Sequence, residues 1–132
     1  MTRFDAATET ERRRLFADAV AAHRRRSSPV MTVDVDPDDD TTDGGDVAPW
    51  IQLAGTEVVL DVTDAELERL KDLLGEYPEF RIDELESPED AEGTNAVITA
   101  RSDPNRIAGF IEAAFLRVFE LEEDYRAWVT AV

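Results

Sequence analysis

The chain has 132 residues, 31 aspartates and glutamates against 14 lysines and arginines, and a net charge of -17. With 42% hydrophobic residues it is rich enough in apolar side chains for a folded core, and its length fits one domain over residues 1–132. Cysteine is absent, which excludes thiol catalysis, disulfides and cysteine-ligated zinc or iron–sulfur sites, and no apolar run approaches the ~20 residues of a membrane span.

The first predicted element is a helix from about Thr8 to Arg25. Thr8 and Glu11 have capping-box spacing, and Leu15, Phe16, Ala19 and Val20 form an apolar stripe. Val30–Val35 alternates, with Met31, Val33 and Val35 on one face, and predicts a half-buried strand. An acidic loop follows from Asp36 to Ala48. Trp50–Leu53 and Thr56–Val62 read as two strands joined by a tight hairpin at Ala54-Gly55. A second helix starts at Thr63, with Glu66 completing a capping box, and stops at Gly75. Phe80–Leu85 and Asn95–Arg101 predict two further strands. Asp103-Pro104 opens the last helix, whose periodicity predicts helix to 132 with a break near 120–124, the second stripe being Tyr125, Trp128, Val129 and Val132.

The order is α-β-β-β-α-β-β-α. It predicts an α+β two-layer sandwich with a mostly antiparallel five-stranded sheet and three helices on one face. The helix over 63–75 is a crossover between strands, so one parallel pair is allowed for.

Charge is the strongest signal. Lys71 is the only lysine, and the acids are spread through every segment. Such a surplus repels itself in dilute buffer, and molar salt screens it down to about 3 Å. The composition therefore predicts a protein adapted to high salt.

Residues 1–28 run against this trend, with seven arginines and four acids. Arg12, Arg13, Arg14, Arg24, Arg25 and Arg26 are the candidate phosphate contacts of a nucleic-acid-associated protein. That reading is the alternative, because phosphate binding weakens as salt rises and internal pairs at Glu9–Arg13 and Arg14–Asp18 spacing account for part of the charge. The aspartates from Asp34 to Asp46 fail the calcium-loop pattern, since positions 6 and 12 from Asp34 hold Asp39 and Gly45. His23, the single histidine, reads as a partly exposed helical residue. Carboxylate pairs such as Glu84 and Glu86 are too common here to mark acid–base chemistry. No catalytic residue, cofactor or metal ligand is assigned, and the balance leans away from an enzyme.

The sheet face opposite the helices is more distinctive. Alternation places Thr32, Trp50, Gln52, Val59, Arg81, Thr99 and Arg101 there, an aromatic, a valine and two arginines on one open surface. This predicts a contact with a protein partner, most simply a homodimer, ahead of a single-stranded nucleic-acid or small-molecule platform. The favoured reading is a non-catalytic interaction or regulatory module.

The segments TRFDAATETERRRLFADAV, EYPEFRIDELESPEDAEGTN and EDYRAWV resemble a family of small uncharacterised proteins of salt-loving archaea. The resemblance spans nearly the whole chain. It implies cytoplasmic location and high-salt adaptation, and it brings no activity, cofactor or site.

Overall fold

In the computed structural model of the chain, residues 5–27, 29–35, 49–87 and 93–130 are described. Seven strands form one sheet: β1 (Asp5–Ala6), β2 (Met31–Val35), β3 (Trp50–Ala54), β4 (Glu57–Val62), β5 (Phe80–Glu86), β6 (Thr94–Ala100) and β7 (Ala127–Thr130). The helices are α1 (Glu9–Arg26), α2 (Asp64–Leu74) and α3 (Pro104–Ala113), the last continued by a π-helical turn over Ala114–Val118.

Local signals set these ends. Thr8 caps α1 by accepting from the Glu11 N–H at 3.3 Å. At α2 the capping box is complete, with Thr63 Oγ1 accepting from the Glu66 N–H at 3.2 Å and Glu66 accepting from the Thr63 N–H at 2.8 Å. Asp103 caps α3 through the Arg106 N–H at 2.8 Å, with Pro104 in the first turn. The β3–β4 hairpin pairs Ala54 with Glu57 and turns at Gly55, whose φ of +65° is the left-handed region glycine enters without strain.

The sheet order is β1-β7-β2-β3-β4-β6-β5, and every pairing is antiparallel. Two expectations are corrected. The sheet has seven strands, not five, because Asp5–Ala6 and Ala127–Thr130 add strands at one edge. Residues 127–130 are therefore not helical: Ala127 and Val129 enter the core while Trp128 faces out, and pairing with β2 outweighs the local helical spacing. The α2 crossover creates no parallel neighbours, since β6 lies between β4 and β5.

The core lies between the helices and one sheet face. Met31, Val33, Ile51, Leu53, Val58, Leu60, Ala96, Ile98 and Val129 meet Phe16, Val20, Leu70, Leu73, Phe110, Ile111 and Phe115. Each strand residue between them points the other way, and β2, β3, β6 and β7 keep this alternation throughout. β5 carries a bulge at Asp83 between the Ile82 and Glu84 registers, which leaves Leu85 on the helix side but exposed.

Candidate functional site

The register brings the outward residues into rows across the open face. Asp34 of β2 lies directly opposite Trp128 of β7 on one side and Trp50 of β3 on the other. All three are half-buried, and Asp34 makes no ion pair with any described residue. Cα atoms of directly opposed residues are about 4.5–5.5 Å apart, so the two tryptophan backbones stand about 10 Å apart with a carboxylate between them.

A second row runs Thr130, Thr32, Gln52, Val59, Val97 and Glu84. Its four central members are uncharged and half-buried, and Gln52 donates to Thr32 Oγ1 at 3.3 Å. The third row joins Ala54, Glu57, Thr99 and Arg81. Arg101 follows Thr99 by two residues, just beyond β6, and is exposed like Arg81. The structure therefore gathers Trp50, Gln52, Val59, Arg81 and Thr99 on one surface with Thr32, with Arg101 at its margin, and adds Trp128, Asp34 and Val97. Trp128 was missed because its segment has helical spacing in the sequence.

The arginines of α1 do not form one basic stripe. Arg12 is fully buried and cannot reach a phosphate. Arg24 donates to the Ser102 carbonyl at 2.5 Å. Arg13 reaches α3, where a Cβ added at Gly109 would lie 3.4 Å from its Nη1. Arg14, Arg25 and Arg26 are exposed. Neither Glu9–Arg13 nor Arg14–Asp18 forms an ion pair among the described residues.

Arg12 instead joins a buried polar network. Its Nε and Nη2 donate to the two Glu112 oxygens at 2.9 and 2.7 Å, its Nη1 to the Tyr125 carbonyl at 2.9 Å, and Nη2 also to the Glu123 carbonyl at 2.9 Å. Tyr125 Oη donates to Glu112 at 2.7 Å, and the guanidinium carbon lies 3.9 Å from the centre of the Tyr125 ring. Burial works against the Arg12 charge, but the Glu112 hydrogen bond and neighbouring charges leave it more firmly protonated than usual. Burial, then Glu112, pushes the Tyr125 hydroxyl well above its ordinary range, so it stays a donor. A cleft of about 450 Å³ opens beside Arg12, lined also by Thr8, Glu9, Leu116, Glu123 and Asp124. Every nitrogen of the guanidinium is already engaged, so the network offers no free fork to an anion.

His23 corrects another expectation. It is buried, not partly exposed, and its Nε2 accepts from the Gly55 N–H at 3.0 Å. The proton therefore sits on Nδ1, which has no hydrogen-bond partner among the described residues. Burial first, and Arg24 second, lower its pKa from the usual 6.5.

The acidic loop expected over Asp36 to Ala48 lies outside the described residues. Among the described residues no group of three or more histidine, aspartate or glutamate side chains could hold a metal ion. No described helix is long and apolar enough to cross a membrane.

A family model, described as a family of unknown function (DUF7975), matches residues 1–132. No curated protein and no solved structure matches the chain.

Proposed function

We propose that this chain, which belongs to the DUF7975 family of unknown function, is a protein-interaction module that pairs with a second copy of itself through the open sheet face. The observation that carries this reading is the uncharged row Thr32, Gln52, Val59 and Val97, flanked by Trp50 and Trp128 on a face that no described helix covers. Interfaces are built this way, with charged residues depleted at the centre, aromatic residues enriched and a polar rim. Seven strands at about 4.8 Å spacing give a face about 29 Å wide, and five residues give about 17 Å along the strands. That footprint, about 490 Å² per copy or about 1,000 Å² for the pair, lies at the lower limit of specific interfaces.

The net charge of -17 adds a condition. Two such chains repel one another in dilute buffer, and salt removes the repulsion while strengthening apolar burial. The module is accordingly one for a salt-rich cytoplasm, and its pairing tightens as salt rises. Light scattering of the wild type and of Val59→Glu in about 2 M salt tests it. A dimeric wild type and a folded, monomeric variant support the reading; a monomeric wild type, or a variant that remains dimeric, overturns it.

A further inference from the structure

A carboxylate flanked across the strands by two tryptophans suits a cation. The ring faces attract positive charge, and arginine stacks on them while its fork binds the carboxylate. Asp34 lies directly opposite Trp50 on one neighbouring strand and Trp128 on the other, on the same sheet face, without an ion pair among the described residues. The same face carries a matching cation. Arg81 is exposed at the far end of the third row, again with no ion pair among the described residues.

The placement of the two is self-complementary. Asp34 lies on the third strand of the sheet and Arg81 on the seventh, so the strand midway between them is the fifth, β4. Along β4, Glu57 shares a row with Thr99 and Arg81, and Asp61 continues the row of Asp34 and Trp50, one step past the Ile51–Leu60 pair. Val59 lies between Glu57 and Asp61 and is thus the midpoint. Four strand gaps and about 13 Å along the strands separate Asp34 from Arg81 by about 23 Å. A two-fold axis in the plane of contact, crossing Val59 at right angles to that line, exchanges the two sites.

Resting on the reading that the open face pairs two copies, we infer that Arg81 of each copy seats over Asp34 of the other, between Trp50 and Trp128. The two-fold axis then crosses Val59, with Gln52 and Val97 in the uncharged centre. Each dimer contains the arginine contact twice, as an isologous interface requires.

The test exploits that reciprocity. Asp34→Arg faces its partner's Arg81 with like charge, and Arg81→Asp faces Asp34 with like charge, so each variant alone loses dimer. Mixed together they form a heterodimer in which both contacts are attractive. Sedimentation at the lowest salt that keeps the wild type dimeric should show each variant weakened about tenfold or more, and the mixture restored to within about threefold of wild type. Circular dichroism of each variant establishes that it is folded, and the conservative pair Asp34→Asn and Arg81→Gln provides a second, milder series. If both charge reversals dimerise like the wild type, or if the mixture stays monomeric, the Arg81–Asp34 contact is overturned while a dimeric wild type leaves the face-pairing reading standing. A wild type that is monomeric at every salt overturns both.

Discussion

Arg12 and Glu112, separated by 100 positions in the chain, meet as a bidentate ion pair with both side chains fully out of solvent. The pair ties the first turn of α1 to α3, and Tyr125 closes over it from the segment leading into β7. Three distant stretches are thereby fixed to one point. Glu112→Gln leaves the buried guanidinium uncompensated and is expected to cost about 3–5 kcal/mol of stability. Replacing Arg12, Glu112 and Tyr125 together by leucine, methionine and phenylalanine removes both buried charges and the hydroxyl at once, leaving only the Tyr125 and Glu123 carbonyls without their donor, and should cost less. Urea midpoints of the two variants check this; equal losses would contradict it.

Tyr125→Phe isolates the hydroxyl. The ring, its packing on Phe115 and its contact with the guanidinium remain, and Glu112 loses one of its hydrogen bonds. A loss of about 1–2 kcal/mol is expected by the same denaturation measurement.

His23 makes stability depend on pH. Its folded pKa lies below the ordinary 6.5, so the unfolded chain takes up a proton first as the solution is acidified. The contribution is complete above 6.5 and is lost as pH falls from there through the lower folded value, because imidazolium cannot accept from the Gly55 N–H. Glu76 and Glu79, held below the ordinary 4.5 by hydrogen bonds from Arg117 and Arg106, act in a lower window. His23→Gln keeps an acceptor without a titrating ring. Between about pH 7.5 and about 5.5 the wild-type urea midpoint should fall and that of His23→Gln should hold; parallel slopes would contradict the assignment.

Glu120 occupies a position suited to glycine. Its φ is +56°, and the Leu121 N–H donates to the Phe115 carbonyl at 3.0 Å across this helix end. Its contact with Arg69 is long, at 3.5 Å, and solvent-exposed, so little is lost with the side chain. Glu120→Gly is expected to raise stability by about 0.5–1 kcal/mol, read as an increased melting temperature; a decrease would contradict it.

Much of the frame is written locally. The alternation in Met31–Val35 and Thr94–Ala100, the Thr63–Glu66 box and Pro104 each act within a few residues and are legible without tertiary structure. β1 is two residues long and has no local signature, since pairing with β7 alone defines it. β7 carries two patterns at once. Tyr125, Trp128 and Val129 fit a helix, Ala127 and Val129 fit a strand, and the free edge of β2 decides between them. Trp128, half of the proposed clamp, was hidden for that reason. Arg12 precedes Phe16 by one helical turn and so lies on the buried stripe of α1, a signal that its grouping with the phosphate contacts passed over. Nothing local distinguishes Glu112 among 31 acids, because its meaning lies in a partner on another helix.

The most direct test of the central claim is the solution mass of the wild-type protein from about 0.2 M to about 3 M salt, followed by sedimentation. Pairing of two strongly acidic chains through a face whose central row is uncharged predicts a shift from monomer to dimer as salt rises, with the protein folded on both sides of the shift. A monomer at every salt, or a dimer that dissociates as salt rises, would contradict it.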